Sequence, residues 1–310
     1  MLSRRNIRIK IMQLLYAGSN DNGISTPEIL RRYNGIIQQS YDLYLFNLAT
    51  TAQVSGFATK DKENRTSKLL PTEADANFLP KLASNELTSS INTSESFAAV
   101  LEDNDIDLVK DEGTIKSIYS EFTKTKDYNT YQDNPNTTAA DDKAVLLALF
   151  KYCLGNALFE DLVDDRFNNW EDDKSLVVGA VKRTIKALPL KEATYSQFKP
   201  NQETTQEFGY KLLESVVNKN KDLLDIIEPN LKNWDADRVA IIDMILLKMA
   251  ISELLNFPSI PTKVTLNEYV EIAKLYSTDK SKDFINGILD RMMKKLEREG
   301  LISKEGRGLV

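Results

Sequence analysis

Residues 236–256 read ADRVAIIDMILLKMAISELLN, and their apolar positions wrap almost completely around a helical wheel. A surface helix keeps its apolar residues on one stripe, whereas a helix apolar on nearly all sides must be enclosed by neighbours. The pattern therefore predicts a central, buried helix over 236–256. Phe257-Pro258-Ser259-Ile260-Pro261 stops it, because proline lacks an N–H and crowds the preceding turn. Thr265 and Glu268 then have the spacing of a capping box ahead of a helix over 266–276. Pro261, Asn267 and Glu268 read as the corner and cap of that helix. A last helix begins near Ser281 and buries Phe284, Ile285, Ile288, Leu289, Met292, Met293 and Leu296, positions that fall on one helical face. Within it, Gly287 reads as a point of close helix–helix approach, and Asn286 as a bond to a neighbouring backbone.

Helical periodicity also governs the rest of the chain. Ile7, Ile11, Leu14 and Leu15 form a stripe that predicts a helix over 4–18, with Arg5, Met12 and Tyr16 on a second stripe beside it. Thr26-Pro27-Glu28 is a helix start, with a cap, a proline at the first helical position and an acid in the first turn. That helix is expected to reach about Gln53, with a break near Asn34-Gly35. Residues 56–71 lack periodicity and read as a long loop. Helical stretches are expected at 73–84, 94–102 and 113–126, then at 141–168, 172–188 and 203–218, with breaks at 132–139 and 189–202. No stretch shows the alternation of a strand, so the fold class is all-α. One internal similarity stands out: Asn169-Trp170 and Asn233-Trp234 hold the only two tryptophans. Flanking acids and apolar residues match at the same offset. Duplicated helical hairpins and convergence of two amphipathic hairpins both account for it.

Composition limits the chemistry. The 310 residues include no histidine, a single cysteine (Cys153), 12 glycines and 9 prolines. Histidine-based triads, dyads and metal sites are excluded. No glycine lies in a phosphate-binding loop pattern, and Cys153 sits in an apolar helical stretch suited to a core residue. No cofactor is expected. The longest apolar stretch, Val239 to Ile251, is interrupted by Asp243 and Lys248 and is too short to cross a bilayer. The N-terminal arginine pair is not followed by the uninterrupted apolar run of an export signal. A soluble cytoplasmic protein is expected, with no membrane partner.

The net charge of −6 hides a segregation. Residues 1–20 carry Arg4, Arg5, Arg8 and Lys10 and no acid; 291–310 hold six bases against three acids. Residues 95–112 and 160–173 each hold seven acids against one base. A basic helix with an aromatic at Tyr16 suits single-stranded RNA, where phosphates meet arginine and bases stack on rings. The plainer reading is a solvated outer face.

Ser3-Arg4-Arg5-x-x-Arg8 followed by Gln13-x-Leu15-Tyr16-Ala17 resembles the opening helix of the NusB family of transcription antitermination factors. The C-terminal stretch carries more of the resemblance. Asp237-Arg238 leads through Asp243 to Ile245-Leu246-Leu247-Lys248, then Glu253-Leu254, Ile260-Pro261-x-Lys263-Val264 and Asn267-Glu268. Glu271-Ile272-Ala273-Lys274 and Phe284-Ile285-Asn286-Gly287-Ile288-Leu289-Asp290 complete the pattern in order.

The resemblance covers 1–20 and roughly 203–300. It implies a fold of two small helical bundles that binds the boxA element of nascent RNA together with NusE, a small-subunit ribosomal protein, within the transcription elongation complex. Carried over by position, Arg4, Arg5, Arg8, Tyr16, Lys282 and Phe284 are the RNA candidates. Asp237, Asp243 and Lys280 are the partner candidates. Asp283 stands where the family usually has lysine, and Lys280 where an acid is common. The implied organisation is a first helix over 1–20, an inserted helical region over 21–202, a C-terminal core over 203–300 and a tail over 301–310. Two other function classes make different demands on the sequence. A fused RNA methyltransferase would need a Gly-rich turn on a sheet, and neither is present. An interaction scaffold would use the acidic middle and make no direct RNA contact.

Overall fold

The computed structural model describes residues 1–19, 25–231 and 239–309, and among them there is helix and no strand. The chain divides into two compact units, each described in turn: a terminal unit of Leu2–Ile37 with Pro200–Val310, and an inserted unit of Gln38–Lys199 with Met1.

The terminal unit begins with α1 (Arg4–Ser19) and the first part of α2 (Thr26–Thr66). After the insertion come a π-helix (Glu203–Tyr210), α13 (Lys211–Asn218), α14 (Asn220–Ile227), α15 (Ile241–Asn256), α16 (Thr262–Tyr276) and α17 (Ser281–Arg298). The α15 helix is the buried one that its sequence required: α1, α13, α14, α16 and α17 all pack on it. Leu246, Leu247, Met249, Ala250, Ile251 and Leu254 are fully enclosed. Burial of each larger side chain is worth about 1.5–3 kcal/mol. On α17, Ile285, Ile288, Leu289, Met292 and Leu296 face the same core, while Phe284 and Met293 are half-buried against it.

The first turns of α2 belong to the terminal unit. Ile29, Leu30, Tyr33 and Ile37 of α2 belong to the terminal core, and the Tyr33 hydroxyl donates to the Thr205 carbonyl at 2.7 Å. There is no break at Asn34-Gly35. The π-helix fits closely here: a side chain at Gly209 would collide with the Tyr33 hydroxyl and Ile7.

In the inserted unit, α2 continues to Thr66, through the stretch read from sequence as a loop. Short helices follow: α3 (Glu73–Asn77), α4 (Lys81–Ser84), α5 (Glu86–Asn92), α6 (Glu95–Asp103), α7 (Glu112–Phe122) and α8 (Lys126–Asp133). Then come α9 (Ala139–Cys153), α10 (Ala157–Asp164), α11 (Trp170–Lys186) and α12 (Glu192–Ser196). Each helix start leaves four N–H groups without a helical partner. Thr72, Asn85, Ser94, Thr125, Thr138 and Asn156 each accept one of them with a side-chain oxygen. The helix expected over 141–168 is split at Gly155, and Asn156 caps the second piece. Buried Asp173 accepts from Ser40 at 2.7 Å and from Asn169 at 2.8 Å, joining α11 to α2. Trp170 is fully enclosed; its proposed counterpart, Trp234, lies outside the described residues.

Candidate nucleic-acid interface

Ser3 caps α1: the Asn6 N–H donates to its hydroxyl, and its own N–H donates to the Asn6 side chain at 3.0 Å. Two arginines stand in the first turn and a third in the next, with no acid among them. Positive charge opposes the partial positive charge of a helix N-terminus, so carboxylates from elsewhere must hold it.

They do so at three depths. Arg4 is 39% exposed and pairs with Glu203 at 3.1 Å, its guanidinium over the Phe208 ring. Arg5 is 49% exposed and forks onto Glu268 through two bonds of 2.8 and 2.7 Å. Arg8 is 3% exposed and forks onto buried Glu253 at 2.8 and 2.6 Å, while reaching Glu268 at 3.4 Å. The Phe208 and Tyr269 rings lie against the Arg8 guanidinium. Glu253 also accepts from Thr265 at 2.8 Å and from Tyr269 at 3.0 Å, so its carboxylate has four donors, two from Arg8 on α1 and two from α16.

Glu268, bonded by Arg5 and close to Arg8, is held below its ordinary carboxylate range despite partial burial. For Arg8, burial works against the charged form, but the Glu253 hydrogen bonds and charge prevail, and its pKa is raised. Burial is the main cause that lifts the Tyr269 hydroxyl well above its usual value, with the Glu253 charge next.

Arg4 and Arg5 thus meet solvent on α1, whereas Arg8, named as an RNA candidate, faces inward. Lys10 is likewise buried. Tyr16 is 42% exposed at the far end of the same helix. Met12, between Arg5 and Tyr16 on that face, is covered.

At the start of α17, Lys280 and Lys282 are exposed, Asp283 beside them is exposed, and Phe284 is half-buried. Asp243, assigned from the resemblance to a partner-facing side, is buried. It accepts from Ser277 at 2.6 Å and from Ser281 at 2.7 Å, tying down the corner between α16 and α17. Asp237 lies outside the described residues.

Three local readings are corrected. Thr265 and Glu268 do not cap a helix, because α16 already begins at Thr262; both side chains serve the arginine network instead. Gly287 is exposed with nothing within 4 Å of a would-be side chain, so it admits no close helix. Asn286 is exposed as well.

Glu253, Glu203 and Phe208 were not singled out as site residues. A carboxylate in the middle of an otherwise apolar, enclosed stretch is the available signal for Glu253, since a buried charge demands a partner. Among the described residues, no cluster of three or more acids or cysteines is arranged to hold a metal. No described helix is long and apolar enough to cross a membrane.

The NusB family model matches residues 173–294, from within α11 to the last turns of α17. A transcription antitermination protein NusB of Chloroherpeton thalassium is 44% identical over 105 residues, covering 34% of this chain and 50% of its own. That of Salinibacter ruber is 40% identical over 107 residues, 34% of this chain and 67% of its own. That of Natranaerobius thermophilus is 43% identical over 94 residues, 29% of this chain and 68% of its own. The chain thus spans half the length of the first relative and about two thirds of the other two. No solved structure matches it.

Fold and matches define an all-helical bundle protein with arginines at the head of its first helix. The chain belongs to the NusB family.

Proposed function

We propose that this chain is an RNA-binding antitermination factor that holds boxA-type single-stranded RNA together with the ribosomal protein NusE, supporting transcription of ribosomal RNA operons. The observation that carries the reading is the pair Arg4 and Arg5, half-exposed on α1 and already oriented by Glu203 and Glu268. A guanidinium fork fits a phosphate as it fits a carboxylate. RNA phosphates would therefore exchange with, or add to, the carboxylate partners at little cost in ordering.

Arg8 acts as a positioning residue in this reading, since it shares Glu268 with Arg5 from within the core. Tyr16 offers a stacking surface, and Lys282 with Phe284 extends contacts from α17. Lys280 and Asp237 face the protein partner, and Asp243 acts through the corner it anchors. The relatives' printed name supports antitermination as the setting.

The test is titration of labelled boxA RNA with the full chain, with and without purified NusE. Exchange of Arg4 and Arg5 together for alanine should weaken binding. It should also flatten the log–log salt dependence by about 0.7 per lost phosphate contact. Binding that equals the parent's at every salt concentration would remove α1 from the interface. A scaffold reading without RNA contact draws on the inserted unit, whose 26 acids and 18 bases give it a charge of −8. It requires that preparations retain protein partners after nuclease treatment and never retain RNA.

A further inference from the structure

The inserted unit contains three adjoining cavities that share lining residues. The largest, about 870 Å³, has a floor of buried Phe57, Ala83, Leu108 and Ile115. Its rim carries Glu102, Asp105, Asp107 and Glu112, with Lys60 the one base. A second cavity of about 260 Å³ shares Asp105, Ile106 and Asp107 with the first and adds Asp42. A third, about 570 Å³, shares Arg166 with the second and adds Asp111, Asp161 and Asp165. The shared residues set the three side by side, as an acidic groove in three parts with Arg166 between the last two.

Eight carboxylates and two bases line that groove. Both bases are engaged by carboxylates of the groove itself: Lys60 by Glu112 at 2.7 Å and Arg166 by Asp111 at 2.6 Å. An excess of six negative charges is left along an apolar floor. The mutual repulsion is felt at Asp42, whose carboxyl is raised by burial and further by the charge of Asp105. Asp105 also occupies a left-handed backbone position, φ 53°, just past the end of α6. Its N–H donates to Glu102 and that of Ile106 to Leu101, the bonding of a helix end that glycine ordinarily completes. An acid is kept there at a conformational cost, where the first two cavities meet.

We propose that this groove docks a basic polypeptide segment bearing apolar side chains, with lysine or arginine meeting the rim and apolar groups entering over Phe57 and Ile115. Charge excludes a nucleic acid from the same surface, because phosphates would face the excess carboxylates. The assignment rests on the inserted unit alone and stands independently of RNA binding at α1.

The experiment uses the full chain and a fluorescein-labelled amphipathic peptide of lysine and leucine, followed by anisotropy. Two peptides serve as comparisons, one with glutamate for lysine and one with serine for leucine. Glu102→Gln, Asp105→Asn and Asp107→Asn together should weaken binding about tenfold or more, since rim charges act jointly. Asp164→Asn, Glu171→Gln and Asp172→Asn, which change net charge equally at exposed sites off the groove, should leave it within about twofold. The glutamate peptide should not bind, and the serine peptide should bind more weakly than the leucine one. Equal loss in both triple variants would overturn the proposal, because the attraction would then be general. So would full displacement by a millimolar divalent cation that monovalent salt of equal ionic strength does not reproduce, since the groove would be a cation site. Competition by an RNA oligonucleotide for the peptide, retained in Arg4→Ala with Arg5→Ala, would also overturn it. Hydrogen exchange on the bound parent should show protection over 98–109; protection confined to the terminal unit would be decisive against it.

Discussion

In the terminal unit, buried Glu253 collects donors from Arg8, Thr265 and Tyr269, and buried Asp243 collects Ser277 and Ser281. In the inserted unit, six buried polar atoms have no hydrogen-bond partner: those of Asn47, Thr50, Thr88, Gln132, Asn169 and Trp170. Among the described residues, every such atom falls in that unit. Charge divides in the same direction, −8 over the inserted unit and +2 over the rest of the chain. Closed polar networks fix one arrangement of neighbouring helices, because each member loses energy if another leaves. Buried polar atoms that bond nothing add no such constraint and cost stability. Most of the family match falls in the terminal unit.

The contrast is broken most severely at Glu253. Glu253→Ala would strand the Arg8 charge in the core and should cost about 3–5 kcal/mol, measured by denaturant unfolding. Arg8→Met with Glu253→Leu should recover most of that loss, since a well-packed apolar pair often matches a buried ion pair. Failure of the double variant to recover would mean that Thr265 and Tyr269 depend on the carboxylate as much as Arg8 does.

A milder comparison uses one substitution in both units. Thr265→Val removes a donor from buried Glu253 and should destabilise by about 1–3 kcal/mol. Thr50→Val removes a hydroxyl that bonds nothing and should be neutral within about 0.5 kcal/mol or stabilising. Equal losses in the two variants would show that the Thr50 hydroxyl is satisfied in solution.

Acid should separate the units in sign. Glu268 is depressed chiefly by its hydrogen bonds from Arg5, so its contribution is present above the ordinary glutamate range and is lost as pH falls through the folded value. Asp42 is raised chiefly by burial, so its ionised form disfavours folding and mild acid relieves it. Relative to the parent, Glu268→Gln should flatten the acid-side fall in stability. Asp42→Asn should be most stabilising near neutrality, with its advantage shrinking as pH drops. Parallel pH profiles for parent and both variants would contradict both assignments.

The enclosed character of α15 and the apolar face of α17 were legible because a helix reports its own surroundings through periodicity. The last turns of α2 were not. Residues 56–66 carry Lys60, Asp61, Lys62, Glu63 and Arg65, and a polar surface helix held by pairs such as Arg65–Asp61 at 3.0 Å leaves no apolar stripe to read. The two-helix division at Gly155-Asn156 had a local signal that apolar periodicity on either side concealed. At the interface, residue types were legible and depth was not. Arg5 and Arg8 are three positions apart, yet one is half-exposed and the other enclosed. Their difference is set by Glu253, 245 residues further along. Burial is decided by such distant partners, which spacing within α1 does not contain.

The π-helix at 203–210 stands where the chain returns to the terminal core. A π turn closes its hydrogen bonds across one more residue than an α turn, so the segment holds a single residue that an ordinary helix of the same length would omit. That surplus sits immediately after the inserted unit, where Phe208 supports two arginines and Gly209 must stay bare beside Tyr33. A chain that returns to the terminal core after Gln38–Lys199 need not arrive in perfect phase. A wide turn absorbs the error locally, leaving α13 and everything beyond it in the register the core demands.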